Sequence, residues 1–587
     1  MNIPETRRGI RSLPETTAIR CVAKRFAPLA MALMGLACTL AGFAQQGAGS
    51  GAETTLSSNA ELVQVPVQVK DSSGKPVHGL LQSDFVLRSD GKVQTVKVFE
   101  ELDGTQDSTA DDKPQPDKDD GNPQYSSVPE KGLPEQLLVI VLDQLNTPVA
   151  EQGQARQQLM KYFANAKLSA GQSFALMTIT KDGLRSVLPF TSDPKVLLAA
   201  VKGETAKLGK TEQTQETLYA PLAPLSHLSN NDIGIYQEAG EANAANVTVQ
   251  SFAQLQQAYS GIPGRKSVLW LSANPPQVNA VSNMQDQSNI AIANLVNRSN
   301  IAIYPVDLKG AHSDSQYLAE DSNLPNTTDD RGNQGVVTDT SVFFGPQYQD
   351  DSRRGLATRT GGRFCGSVAA LQSCIDQAID DSASYYTLGF YVSQQDRVVG
   401  WHKLDVKLAS GKEKVHARSG YYLEAKTPPT DKDLRNGMLT AVNAKIGYTG
   451  VAFTVERLPA APPATAVAEP ATPASGTASA ASPATAPPPA SLSFRIRVPA
   501  SSVMLESGEQ KLSYEIAMVP LSDKGEPLTD IKTTRLDLDA QKTQEALAKG
   551  WRYDETLPQD SSPSVVKFVV RDNAAGRIGT VTVPVNR

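Results

Sequence analysis

The run Leu137–Asp143, LLVIVLD, is apolar until it closes on a carboxylate. It is too short to cross a bilayer. Set between Pro134 and Pro148, it suits a strand buried on both faces of a parallel sheet. Parallel strands need crossover connections, and the chain supplies them. VAEQGQARQQLMKYFANAKL places Leu159, Phe163 and Leu168 at helical spacing, SFALMTIT and LRSVLPF read as partnered strands, and DPKVLLAAVKGETAKL reads as a helix with Asp193 at its N-cap. The helix VQSFAQLQQAYSGIPG, the strand SVLWLSA, the helix NIAIANLVNRSN and the strand IAIYPVDL follow. Repeated β–α units specify a doubly wound α/β domain, whose ligands bind beyond the carboxyl ends of the strands, where Asp143 would sit.

The helix RRGLATRTGGRF, stopped by Gly361–Gly362, and the helix ALQSCIDQAIDDSASY continue the domain. YYTLGFYVS, WHKLDVKL and KVHARSGYYL close it as strands near Leu423. Two polar stretches without periodicity, Thr211–Glu241 and His312–Asp350, are expected to be functional or disordered loops.

A chain of 587 residues exceeds one hydrophobic core. Residues 1–44 read as a signal peptide. Lys24 and Arg25 precede the apolar stretch Phe26–Ala44, which ends in small residues. An uncleaved anchor is the alternative. A lipoprotein reading of Cys38 is weakened by Gly35, which stands where an aliphatic residue is usual. Residues 59–103 alternate as a small N-terminal β-module around the turns DSSGK and SDGK, and residues 104–132, rich in acids and prolines, read as a disordered linker. The α/β domain takes residues 133–425. Residues 433–587 read as a β-sandwich preceded by a short helix at Asp433–Lys445, with an Ala/Pro-rich disordered insertion at 458–490 placed between two of its strands.

The net charge is −6. Residues 1–44 hold six basic and two acidic side chains, which leaves −10 on the remainder. Such a balance argues against nucleic acid as a partner. No later segment is apolar and long enough to span a bilayer, so no transmembrane helix is expected after signal cleavage. Export to the periplasm or beyond would leave Cys365 and Cys374 as an even pair, a disulfide candidate. DKDDG lacks the acidic spacing of a calcium loop and has no glutamate at the twelfth position from Asp117.

Catalytic signatures are missing. There is no GxSxG elbow, HExxH helix or phosphate-binding glycine loop. His78, His227, His312, His402 and His416 show no spacing to a serine or cysteine. Asp380–Asp381 are adjacent on a helix, do not face one another, and read as a solvated face. The chain is expected not to be an enzyme.

A first strand ending in Asp-x-x-x-Thr resembles the von Willebrand factor type A domain. GKPVHGLLQSDFVLRSDGK ahead of it, ATRTGGRF near its end and YYTLGFY…GYYL closing it make residues 60–425 resemble the VWFA-related domain family of Acidobacteria and relatives. The order of these motifs carries the likeness. The resemblance implies a multidomain α/β plus all-β protein, with a type A-like (Rossmann-like) domain flanked by the N-terminal β-module and the C-terminal β-sandwich. It also implies a protein-binding or adhesion role. Many type A domains hold Mg²⁺ through Asp-x-Ser-x-Ser with a distal threonine and a distal aspartate.

Here Asp143 and Thr147 fit that pattern, but Leu145 stands at the first serine position and Asn146 is out of register. Ser272 or Asn274 stands for the distal aspartate, and Thr211, Thr214 or Thr217 for the distal threonine. The set Asp143, Thr147 is degenerate, and no cofactor is expected. In the simpler reading Asp143 caps the first helix or bonds loop amides, and Asp307 has the same two readings. The resulting expectation is an exported interaction module with an unidentified protein partner. A passive envelope scaffold and an adhesin using Mg²⁺ at the degenerate site are the alternatives.

Overall fold

The computed structural model describes residues 61–103, 124–128, 136–169, 171–204, 230–274, 287–309, 346–393, 396–425, 430–458, 492–505, 511–557 and 563–585, with the side chains of 124, 230–242, 287 and 346–350 left aside. Residues 1–44, read as a signal peptide, most of 104–132, read as a linker, residues 459–490 of the Ala/Pro stretch and Thr211, Thr214 and Thr217 lie outside the described residues. Among the described residues no helix is long and apolar enough to cross a membrane.

The fold is mixed α/β with several sheets. Its centre is a five-stranded sheet in the order Ile301–Asp307, Lys266–Ser272, Gln136–Asp143, Gln172–Thr180, Gly183–Thr191. The first four run parallel, with Val139 opposite Val268 and Ala175. The last turns back as an antiparallel hairpin through Gly183, at φ 92°. Alternation assigns the side chains to two faces. Leu138, Ile140 and Leu142 pack with the helices Val149–Asn165 and Leu371–Ala383. Leu137, Val139 and Val141 pack with the helices Asn230–Tyr259 and Gln287–Asn297. Burial on both faces is why LLVIVLD shows no polar alternation.

The helix Asn230–Tyr259 begins well before the sequence places it, so the stretch read as a loop at 211–241 is helical from Asn230. Likewise the helix Pro346–Thr360 starts inside the stretch 312–350. Gly361 ends that helix at φ 78°, and the Gly362 amide donates to Ala357 O. A Cβ on Gly362 would lie 1.9 Å from Ile303 O, so the chain can pass the sheet there only without a side chain.

The segment 59–103 does not stand as a module of its own. Its strand Glu61–Lys70 lies between Ser384–Val392 and Lys414–Ala417, with Val98–Asp103 on the far side of Ser384–Val392. A second sheet orders Gly420–Leu423, Gly400–Leu408, Phe85–Ser89 and Lys92–Val93. Val65, Val67, Leu87, Leu388, Phe390, Leu404 and Leu423 form the core between them. Four strands have too little surface to bury their own apolar faces, and strands after the α/β domain supply the rest. The strands at 384–423, which the sequence reading closes into the α/β domain of 133–425, therefore belong to the same sandwich as strand 61–70.

A second sandwich forms near the C-terminus. One sheet orders Trp551–Leu557, Leu492–Val498, Thr454–Arg457 and Gln124–Ser126, the other Thr533–Asp537, Ser513–Leu521, Val565–Asp572 and Ile578–Pro584. Gln124–Ser126 come from the stretch read as a linker. Tyr125 pairs with Val455 and packs on the core around Phe494 and Phe568, and an aromatic anchor of that kind overrides the polar composition around it. Thr454–Arg457 and Leu492–Val498, which flank the Ala/Pro stretch, pair antiparallel. A helix, Ala540–Lys549, interrupts what the sequence reads as all-β. It is started by Asp539, whose side chain accepts from Lys542 N, and stopped by Gly550 at φ 73°. This sandwich joins the α/β domain through Thr449, whose Oγ1 donates to Ala258 O (2.8 Å) and accepts from Gly261 N (3.0 Å).

Candidate functional site

The strands Gln136–Asp143 and Lys266–Ser272 are neighbours, yet the helices that follow them lie on opposite faces of the sheet. That divergence makes a switch point, the place where open α/β sheets bind ligands. Asp143 ends the first of these strands and is 2% exposed. Its Oδ1 accepts from Asn146 N (3.0 Å) and Asn146 Nδ2 (3.1 Å). Its Oδ2 accepts from Asn146 Nδ2 (2.9 Å), Ser272 Oγ (2.9 Å) and Trp270 Nε1 (3.2 Å). Burial pushes the carboxyl up from its ordinary range, and the bonds from Asn146, Ser272 and Trp270 oppose the rise.

The loop after Asp143 is bonded on both sides. Gln144 N and Leu145 N donate to Ile179 O, and Asn274 N donates to Asn146 O. Thr147 Oγ1 accepts from Ala273 N at 3.1 Å, while Gln152 Nε2 donates to Thr147 O at 2.6 Å and to Gln144 O at 3.2 Å. Asp143 and Thr147 are thus engaged with chain donors. Leu145 packs against the core under the sheet. Mg²⁺ requires near-octahedral oxygens at about 2.0–2.1 Å. An amide nitrogen fills the space before Asp143, so the described donor set does not fit that ion. Among the described residues no three His, Cys, Asp or Glu side chains form a metal-holding group.

Beside this end a small cavity is lined by Asp143, Gln144, Thr147, Gln152 and Arg156. Arg156 is 1% exposed. Its Nη2 donates to Gln152 Oε1 at 3.3 Å, and its Nε and Nη1 have no partner among the described residues. Burial lowers this guanidinium to about 10 against the pull of Glu204. Asp307, at the end of its own strand, accepts from Lys309 N (3.1 Å) and pairs with Arg353 Nη2 (3.2 Å), which also donates to Ala273 O (2.6 Å).

Cys365 and Cys374 are bonded, with Cα atoms 6.2 Å apart. Cys365 also extends the sheet edge, its N donating to Pro305 O and its O accepting from Asp307 N. The reading of Asp380–Asp381 as a solvated pair is corrected. Asp380 is exposed, but the Asp381 side chain is fully buried and takes bonds from Lys70, Arg363 and Tyr304. Successive residues on a helix point about 100° apart, so one faced water and the other the sandwich. His402 bonds Asp90 and Val398 O, and His416 bonds Gly361 O; His227 and His312 lie outside the described residues.

Sequence reasoning missed Thr248. It is 0% exposed, and its Oγ1 accepts from Asn146 Nδ2 at 2.9 Å. Its only signal is a hydroxyl on the apolar face of the helix around VTVQSF.

No family model matches the chain, and no curated protein matches it. Among solved structures, the crystal structure of the human COPII-coat protein Sec24c is similar at a TM-score of 0.21 and 8% sequence identity, covering 54% of this chain and 49% of that one. The chain spans about half the length of that neighbour.

Proposed function

We propose that the chain is an exported protein-binding module of the von Willebrand type A kind, engaging a protein partner without a divalent cation and without catalysing a reaction. The observation behind this reading is the switch point, where Asp143 ends its strand and spends its carboxylate on chain donors. The sheet order, with its antiparallel edge strand, and the order of GKPVHGLLQSDFVLRSDGK, ATRTGGRF and YYTLGFY…GYYL support the type A assignment. The basic and apolar start of the sequence supports a periplasmic or secreted location. Against catalysis stand His402 and His416, which bond an aspartate and backbone carbonyls.

Crosslinking of the full chain in intact envelopes tests the proposal, with and without EDTA and with Asn274→Arg. Asn274 is exposed two residues beyond the carboxyl end of the strand Lys266–Ser272, so the variant places charge at the mouth. One protein partner is expected in both media, with capture by the variant down about tenfold or more, or ~1.4 kcal/mol. Equal capture by the variant moves the partner surface elsewhere, and loss in EDTA restores the metal-dependent adhesin.

A further inference from the structure

Ten large apolar side chains stay exposed among the described residues, and five of them gather at one end of the first sandwich. Leu62 and Tyr391 are register partners near the ends of their strands. Val398 and Val399, 65% and 53% exposed, lie in the loop between the strands Ser384–Val392 and Gly400–Leu408. Arg397 of that loop reaches Glu61, the neighbour of Leu62, through Nε (3.3 Å) and Nη2 (3.1 Å). Val93 stands on the adjoining hairpin, whose Asp90 bonds His402, and His402 in turn bonds Val398 O. The acids of this end are engaged within it. Glu61 holds Arg397, Asp90 holds His402 and accepts from Lys403 N, and Asp396 accepts from Ser393 Oγ. Lys92 and Lys403 are exposed beside them.

We infer that this end of the first sandwich is a membrane-contact face, with Leu62, Tyr391, Val398 and Val399 seated at the headgroup level of a lipid bilayer and Lys92 and Lys403 against its phosphates. Gathered exposed apolar side chains mark contact with a protein or with a membrane, and the course of the chain favours the membrane. The strand Glu61–Lys70 begins at this end. Sixteen residues, 45–60, separate it from the apolar stretch Phe26–Ala44, a reach of at most about 60 Å. A tyrosine among valines, flanked by lysines, suits a boundary that is apolar on one side and charged on the other. The sandwich meets the α/β domain at the amino ends of the parallel strands, where Arg265 N donates to Tyr385 OH (2.9 Å) and Asn300 Nδ2 to Gln64 Oε1 (3.3 Å). Asp143 lies at the carboxyl ends, so the membrane face and the mouth are separate surfaces. The inference goes beyond the protein-binding reading and does not depend on it.

The full chain is mixed with vesicles of phosphatidylethanolamine and phosphatidylglycerol, with or without bromine on the acyl chains. Val399→Trp places a reporter in the loop, and Leu528→Trp, exposed on the second sandwich, is the control. Each is read as its difference from wild type, which carries Trp270, Trp401 and Trp551. With vesicles the Val399→Trp emission is expected to shift to the blue and to lose intensity to the bromine, and Leu528→Trp is expected to do neither. Adding Val398→Asp, which keeps the backbone oxygen bonded by His402, is expected to abolish both changes. The inference is overturned if residue 399 shows no shift and no quenching, or if both changes survive Val398→Asp. Equal changes at 399 and 528 overturn it too, because the chain then adsorbs without a preferred face. So does an emission already blue-shifted before vesicles are added, since this chain or a second copy then covers the face. Should Val399→Trp fail to fold, Val93→Trp carries the same expectations. Either result leaves the protein-binding proposal to its own crosslinking test.

Discussion

Replacing Asp381 by Asn separates a buried network from a solvated helix face. The carboxylate accepts from Lys70 Nζ at 3.0 Å, Arg363 Nε at 2.8 Å and Tyr304 OH at 3.1 Å, and its backbone oxygen accepts from Gln68 Nε2. Lys70 and Gln68 come from the first sandwich, Tyr304 and Arg363 from the α/β domain, so one side chain ties the two together. Burial works to raise the Asp381 carboxyl, but Arg363, Arg265 and Lys70 outweigh it and bring it down to about 2 from 3.8. A depression of that size corresponds to roughly 2–3 kcal/mol at neutral pH. Truncating one member of a buried pair gives about 3–5 kcal/mol by a separate route.

The expected cost of Asp381→Asn is therefore ~2–4 kcal/mol in urea unfolding at pH 7, whereas Asp380→Asn, one residue away and exposed, is expected to change stability by less than about 0.5 kcal/mol. The pH dependence carries a sign. A native carboxyl held below its unfolded value stabilises the fold above pH ~4 and stops doing so as the pH falls towards ~2. Wild type should lose that increment on acidification and the Asn variant should not. Equal effects at 380 and 381, or a cost at 381 under ~0.5 kcal/mol, would refute the argument and return the pair to the solvent.

Two further predictions concern packing. Arg156→Met removes a buried guanidinium with two nitrogens that have no partner among the described residues, while keeping the length of the side chain, so the melting temperature should hold or rise, by the equivalent of about 0–2 kcal/mol. A fall of several degrees would mean that the charge is well compensated in place. Gly362→Ala and Gly153→Ala should act in opposite directions. The first drives a Cβ to 1.9 Å from Ile303 O and should cost about 2 kcal/mol or more, while the second has open space on the helix Val149–Asn165 and should stabilise by ~0.5–1 kcal/mol. Thermal unfolding of the two variants side by side checks both signs.

What the sequence discloses depends on how local the cause is. The strand at Leu137–Asp143 and the Asp143 carboxylate at its end are legible because burial on two faces leaves a continuous apolar run. The stop at Gly361–Gly362 is legible because a left-handed residue favours glycine. The pairing of Glu61–Lys70 with Ser384–Val392 is not, since alternation tells a strand which face to bury and says nothing about its neighbour. Asp380 and Asp381 look equivalent on the page, and only the direction of each side chain distinguishes them. Thr248 reaches Asp143 through Asn146 across about a hundred residues, a separation at which spacing carries no signal. The helix at Ala540–Lys549 had its cap and its stop in plain view at Asp539 and Gly550, and strong alternation on either side masked them.

Inserting the α/β domain between two halves of one sandwich also sets a timetable. Gln68 and Asp381, which bond in the finished protein, are 313 positions apart. At a synthesis rate of about 5–20 residues per second, the valine-rich strand Glu61–Lys70 emerges some 15–60 seconds before its partner Ser384–Val392 exists. Through that interval Val63, Val65, Val67 and Val69 have no core to enter, and their strand has two open edges. The first of the described strands to be made is thus among the last to find its place, and the newborn chain depends on whatever keeps that ribbon from pairing with another copy of itself.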